Sequence, residues 1–238
     1  MIFPIVYQDS EILLVNKPAG VAVQGGAGIS HPLDEELAKQ VGYKVHLLHR
    51  LDRETSGLLL VAKNPAAAKK WIGLIAGKQV QKEYTALCFG LPLLKGKPAK
   101  KGSICDTVTK QGREQSAVTH FTVEKTMQIL LPALESTAET ASQKVTVSQL
   151  HLVLGTGRMH QIRIHLSHAQ CPILADDKHG NFKLNKLAKK VLKIKTLCLA
   201  ATKITLPLDG KARTFEIAVP EHMQCDKLFL AVDKKNIN

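Results

Sequence analysis

Short unbroken apolar runs separated by turn signals dominate the chain. Residues 12–15 (Ile-Leu-Leu-Val) read as a buried strand stopped by the turn Lys17-Pro18-Ala19-Gly20, after which Val21 and Val23 resume extended structure. Residues 32–40 carry Asp34, Glu35 and Glu36 where a helix N-terminus favours them, which predicts a helix. Residues 58–62 predict a second buried strand. Asn64 then suits an N-cap, Pro65 the first helical position and Gly77 the C-terminal stop of a helix. Residues 80–89 alternate as a strand does. Residues 91–116 are rich in Lys, Gly and polar groups and read as loop, and 132–144 read as a surface insertion. Strands are predicted at 117–124, 145–154, 197–206 and 214–219. Helices are predicted near 158–169, where Ile162, Leu166 and Ala169 share one face, and at 185–193, which is basic. Strands and helices mixed without regular βαβ alternation indicate an α+β fold. No segment reads as an interdomain linker. One catalytic domain over 1–225 is expected, followed by a basic polar tail over 226–238.

Composition narrows the function. Thirty-three Lys and Arg against 20 Asp and Glu give a net charge of +13, which points to a polyanionic partner such as nucleic acid. Aromatic residues make up only 4%, too few for an open platform that stacks bare single strands. No apolar run approaches the length of a membrane span. Five cysteines, odd in number and never spaced C-x-x-C, speak against a disulfide scaffold, and a cytoplasmic protein is expected.

Two weaker chemical signals lie in the glycines and the histidines. Gly25-Gly26-Ala27-Gly28 supplies a G-x-G, but His31 stands where a third glycine would be and no G-K-[ST] follows, so a flexible loop fits better than a nucleotide site. His160, His165, His168 and Cys171 could supply zinc ligands, yet residues 160 and 165 do not share a helical face well, and polar or RNA-facing histidines fit better. Two segments are denser. In residues 49–57 Asp52 lies between Arg50 and Arg53, just before an apolar strand. A carboxylate among cations suits a nucleophile or an electrostatic group; the residues alone leave a salt-bridged turn equally open. In residues 155–168 two glycines turn the chain into a helix whose free N–H groups can face an anion, with Arg158 and Arg163 adding charge. An arginine here could meet Asp52 as a fork, the alternative being a solvent-facing basic helix end.

Together these segments resemble the RluA-type RNA pseudouridine synthases. His49-Arg50-Leu51-Asp52-Arg53-Glu54-Thr55-Ser56-Gly57-Leu58-Leu59 resembles the family's H-R-L-D-x-x-T-S-G-[LV]-L, Asn16-Lys17-Pro18-Ala19-Gly20 its N-K-P-x-G, and Lys82-Glu83-Tyr84 its K-x-Y strand. Thr156-Gly157-Arg158-Met159-His160-Gln161-Ile162-Arg163-Ile164-His165-Leu166 resembles its T-G-R-x-H-Q-[IL]-R-x-H-[LM]. The resemblance implies a mixed, largely antiparallel central sheet flanked by helices and loops. It also implies cofactor-independent isomerisation of uridine to pseudouridine in structured tRNA or rRNA, with neither cofactor nor metal. By position, Asp52 becomes the catalytic aspartate, attacking ribose or base. Arg163 becomes the arginine that orients it, and Tyr84 the tyrosine that packs on the target base and assists loss of the C5 proton. Arg50 replaces the flipped nucleotide in the stack. Arg53, Thr55, Lys82, Arg158, His160 and Gln161 complete the expected RNA-binding set. A monomer without membrane contact is expected, and no accessory RNA-binding domain ahead of the first motif.

Two departures stand out. The usual D-x-x-Y-G is met by Asp177-Lys178-His179-Gly180-Asn181, where the histidine leans towards the tRNA-modifying TruC branch. Ala175-Asp176 replaces the usual glycine-aspartate.

Overall fold

A computed structural model describes residues 1–110, 112–133 and 142–224. The chain divides into two compact units, residues 1–84 with 200–218, and residues 85–199 with 219–238. Among the described residues no helix is long and apolar enough to cross a membrane.

The first unit holds β1 (Ile5–Gln8), β2 (Ile12–Lys17), α1 (Leu33–Val41), β3 (His46–Leu47), β4 (Ser56–Ala62), α2 (Pro65–Ala76) and β12 (Lys211–Glu216), with most of β11 (Leu199–Leu208) and the start of β5 (Gln81–Phe89). Its strands run β1-β2-β4-β11-β12. All are antiparallel except β4 against β11, where Ser56 faces Ala200 and Gly57 faces Ala201; β3 pairs with the far end of β4. Every residue of β4 is buried, as a strand covered on both faces requires. Ile12, Leu14, Leu58, Leu60, Ile204 and Leu206 form the core over which Trp71 of α2 packs. The start of α2 is as predicted: the Asn64 side chain accepts the Ala67 N–H at 2.8 Å with Pro65 in the first turn. Residues 21–23, expected to be extended, form no strand. Pro32 caps α1 without a side-chain acceptor, so the carbonyls of Ala22 and Val23 take the Leu33 and Asp34 amides instead.

The second unit holds β6 (Leu93–Leu94), β7 (Lys97–Pro98), β8 (Lys101–Lys110), β9 (Arg113–Pro132), β10 (Ser142–Leu154), α3 (Gln161–His168) and α4 (Phe182–Leu192), with a 3₁₀ turn at Glu221–Met223. The order is β5-β10-β9-β8, and β10, β9 and β8 form an antiparallel meander. The segment read as loop, 91–116, is mostly strand: β8 pairs with β9 from Lys101↔Thr122 to Lys110↔Arg113. Ile104 and Val108 point inward from an otherwise polar strand, too sparse an alternation to show in the sequence. The expected insertion over 132–144 is strand at its ends, Pro132 facing Ser142, while 134–141 lie outside the described residues, as does the tail from residue 226. Ile162, Leu166 and Ala169 are buried on one face of α3 and its end, as expected. The architecture is the α+β one anticipated, mostly antiparallel strands with a few helices.

Candidate active site

In the first unit, residues 49–57 form a turn held from several sides. Leu51 and Thr55 are buried anchors on either side of the half-buried Asp52, and the Thr55 N–H donates to the Asp52 carbonyl at 3.1 Å. Gly57 has φ +109°, and a Cβ there would lie 2.2 Å from the Ala201 carbonyl oxygen, so no side chain fits where β4 meets β11. His49 Nε2 accepts the Leu60 N–H at 3.2 Å. Burial first, and then the Lys82 charge, push the His49 pKa down to about 3, so the ring is a neutral fixture of this turn.

Lys17 ties the turn to the rest of the unit. It is fully buried, and Nζ donates to the carbonyls of Pro18 (2.9 Å), Val21 (2.8 Å) and Arg53 (3.0 Å), using all three ammonium donors. Burial lowers its pKa to about 8 against the opposing pull of Glu54 and Asp52. The Gly20 N–H also donates to the Arg53 carbonyl, and Arg53 Nε returns a bond to the Gly20 carbonyl at 3.0 Å. Two segments 33 residues apart are thus strapped together beside Asp52. The exposed Arg53 is part of that strap, whereas the exposed Arg50 reaches outward. Lys82 is partly buried, which lowers its pKa. Tyr84 is 5% exposed; burial and then the charge of Asp52 raise its phenol above the ordinary range, so it is a neutral hydroxyl.

The second unit holds the other motif. Gln161 is 3% exposed and spends its whole amide internally. Oε1 accepts Thr156 Oγ1–H (2.7 Å) and the Arg158 N–H (3.0 Å), while Nε2 donates to the Val118 carbonyl (2.9 Å) and Thr119 Oγ1 (3.0 Å). Gln161 thus ties residues 118–119 to 156–158, and Thr55, also expected among the RNA contacts, is 2% exposed. Arg158 is exposed. His160, at φ +53°, shares a hydrogen bond of 2.9 Å between its Nδ1 and His179 Nε2.

Arg163 is 7% exposed and forks onto Asp176: Nε reaches Oδ2 at 2.8 Å and Nη2 reaches Oδ1 at 2.7 Å. In the sequence Asp176 stands out only as half of the Ala175-Asp176 departure, with no partner assigned to it. Burial raises the Asp176 pKa, but Arg163 and the His179 and Lys178 amides outweigh it, and the net shift is downward. Asp176 is itself clamped by Asn185, whose Oδ1 accepts the Ala175 N–H and whose Nδ2 donates to the Asp176 carbonyl, both at 2.9 Å. Asp177, the aspartate read into the D-x-x-Y-G pattern, faces Lys189 instead. Ala175 explains why a glycine is usual there: it sits at φ +58°. Replacing it removes a left-handed strain of about 1–2 kcal/mol against a glycine entropy cost of about 0.5–1. Ala175→Gly is therefore expected to stabilise the protein by about 0.5–1 kcal/mol, read as a higher urea midpoint; an unchanged or lower midpoint refutes this.

The residues of the H-x4-H-x2-H-x2-C run diverge. His168 Nδ1 meets Asp106 at 2.6 Å, His165 is buried without a hydrogen-bond partner, His160 meets His179, and Cys171 Sγ lies 3.7 Å from Ser148 Oγ. Among the described residues no three His, Cys, Asp or Glu side chains gather as a metal site.

Residues 11–168 match the RNA pseudouridylate synthase family, and the chain belongs to that family. Among its relatives is the ribosomal large subunit pseudouridine synthase C of Buchnera aphidicola subsp. Baizongia pistaciae, 31% identical over 228 residues. The protein of the same name from Rickettsia conorii is 35% identical over 209 residues. These alignments cover 91% and 82% of this chain but 66% and 63% of the relatives, so the chain spans just under two thirds of their length. The fold matches human RNA pseudouridylate synthase domain containing 4 with a TM-score of 0.70 at 24% identity, over 96% of this chain and 92% of that one.

Proposed function

We propose that this protein is a cofactor-independent pseudouridine synthase acting on large-subunit ribosomal RNA, with Asp52 as the nucleophile. The observation that carries the reading is the Asp52 turn: a carboxylate on a loop fixed by the Thr55 amide, the buried Lys17 ammonium and the unsubstitutable Gly57. Such preorganisation is what a catalytic group needs and what a mere surface salt bridge does not.

In the reaction the C1′–N1 bond of a uridine breaks, a C1′–C5 bond forms, the proton at C5 leaves and N1 gains one. Atoms and electrons balance within the nucleotide, so no redox partner is called for. Asp52 supplies the transient bond, to ribose or to base. Tyr84 packs on the base. Its raised pKa keeps phenolate scarce, so it serves better as a neutral wall and hydrogen-bond donor than as the base expected for C5. Arg163, preset by Asp176, supplies a rigid guanidinium. Arg50, exposed beside Asp52, fills the space left by the flipped nucleotide, while Arg53 and Lys82 of the first unit and Arg158 and His160 of the second each offer polar groups to the RNA. Flipping costs a few kcal/mol, and phosphate contacts from a chain of net charge +13 help to meet it. The relatives' names favour rRNA over tRNA. A reducing cytoplasm, which five cysteines never spaced C-x-x-C suit, is its proposed compartment, and a monomer its proposed state.

The test is a map of pseudouridine across total RNA from a strain lacking the gene, complemented with wild type or with Asp52→Ala. A 23S site that vanishes and returns only with wild type is the expected result. A tRNA site behaving this way would move the substrate. No change at any site would favour an RNA-binding protein without turnover.

A further inference from the structure

Helix α4 (Phe182–Leu192) carries charges of one sign only, all lysines. After Asp177 no acidic residue occurs until Asp209, while Lys178, Lys183, Lys186, Lys189, Lys190, Lys193 and Lys195 all fall in that interval. At about 100° per residue, Lys183, Lys186 and Lys190 lie within roughly 60° of one another. The buried residues Asn185, Ala188 and Leu192 centre on the opposite side of the helix. Lys183, Lys186 and Lys190 are exposed, and no carboxylate pairs with any of them among the described residues; Lys189, off the stripe, is the one neutralised by Asp177. The three span about 10 Å along the helix axis. Three unpaired like charges on one face repel one another, and no contact within the fold compensates them.

A second observation sits at the same place. Phe182, the first residue of α4, is 73% exposed in a chain with only 4% aromatic residues. It flanks the lysine stripe. The N-terminal end of the helix also borders a groove of about 620 Å³, whose lining includes Lys144, Thr146, Ser167, Gln170 and Asn181. That volume is in the range that holds a small ligand, and its lining mixes those polar groups, which suit the edges of a base, with Val145, Pro172 and Leu184.

We propose that this face of α4 is a second RNA-binding surface. Lys183, Lys186 and Lys190 take successive phosphates of the substrate RNA, and Phe182 stacks on an unpaired base at the end of that track. The proposal rests on the reading that the substrate is ribosomal RNA. An anionic membrane would also attract lysines, but a helix lying on a lipid surface must keep an apolar face for the lipid. The apolar face of α4 is spent in the protein core. Phosphates need only the exposed cations, and an unpaired base is what an exposed aromatic ring suits.

The test compares full-length wild type with K183Q/K186Q/K190Q and with F182A. Each is titrated with unmodified 23S rRNA from the deletion strain across a KCl series, with thermal melting to confirm folding. The slope of log affinity against log salt is expected to become shallower by about 2 in the triple variant, since each lost phosphate contact removes about 0.7 to 0.9. F182A is expected to weaken binding about fivefold or more with an unchanged slope. The single-turnover rate at saturating RNA should match wild type in both. Wild-type binding together with wild-type slope and affinity in the triple variant would overturn the proposal alone. Loss of binding to phosphatidylglycerol vesicles in that variant, with RNA binding intact, would overturn it in favour of a membrane. Failure of wild type to bind the RNA would overturn the proposal and the functional reading beneath it.

Discussion

Asp52→Asn is expected to lower the single-turnover rate of pseudouridine formation by at least about four orders of magnitude while leaving RNA affinity within about twofold. The substitution is nearly isosteric. The bond that closes the turn runs from the Thr55 amide to the backbone carbonyl of residue 52, so the amide side chain leaves it intact. Leu51 and Thr55 remain buried, and the Lys17 strap acts on the carbonyl of Arg53 rather than on the carboxylate. What disappears is the nucleophile, because a carboxamide oxygen cannot form the transient bond at a useful rate. Exchange of tritium from C5 of labelled uridine in 23S rRNA reads the chemical step, and filter binding reads affinity. Turnover within tenfold of wild type would reject Asp52 as the attacking group. Joint loss of binding and turnover would recast it as a residue that holds the loop.

Much of this architecture is legible in the sequence, and the reasons are local. Asn64, Pro65 and Gly77 delimit α2 because a cap is a bond between neighbours in sequence. The run 58–62 declares itself as a buried strand because every one of its side chains is apolar. The Asp52 turn stands out because its polar residues crowd against that run. The parts that stayed hidden depend on distant partners or on sparse patterns. β8 buries only Ile104 and Val108 within a polar stretch, and its identity comes from the ladder it makes with β9. Asp176 and Asp177 look equivalent in a string of letters. Only the fold shows that the first meets a buried arginine 13 residues away and the second a surface lysine. Lys17 carries a signal in retrospect, since a lysine closing the run Ile-Leu-Leu-Val-Asn must either snorkel or find carbonyls, and here it finds three. The internal bonds of Gln161 were hidden for the same reason: its four partners lie in residues 118–119, 156 and 158, and no local pattern announces them.

The Arg163–Asp176 pair carries the largest expected effect on stability. Both side chains are nearly sealed from solvent, 7% and 1% exposed, so little screening weakens the bond. Asp176→Asn replaces the charged acceptor of the fork by a neutral one, a change that costs about 3–5 kcal/mol where buried pairs are broken one-sidedly. The penalty should depend on pH in a defined sense. The folded-state pKa of Asp176 is depressed below the ordinary carboxylate value. Its contribution is therefore fully present above the unfolded-state pKa and is lost as pH falls through the lower folded-state pKa. Urea unfolding of wild type and Asp176→Asn should differ most near neutrality, and the gap should narrow as the buffer approaches and passes below the ordinary carboxylate range. Arg163→Lys is expected to recover little of either stability or turnover, because one ammonium cannot meet two carboxylate oxygens in a fork. A gap that stays constant with pH would mean that the charge of Asp176 is not what stabilises this corner. Near-normal stability of Asp176→Asn at neutral pH would mean that Asn185 and the backbone clamp hold it without the carboxylate.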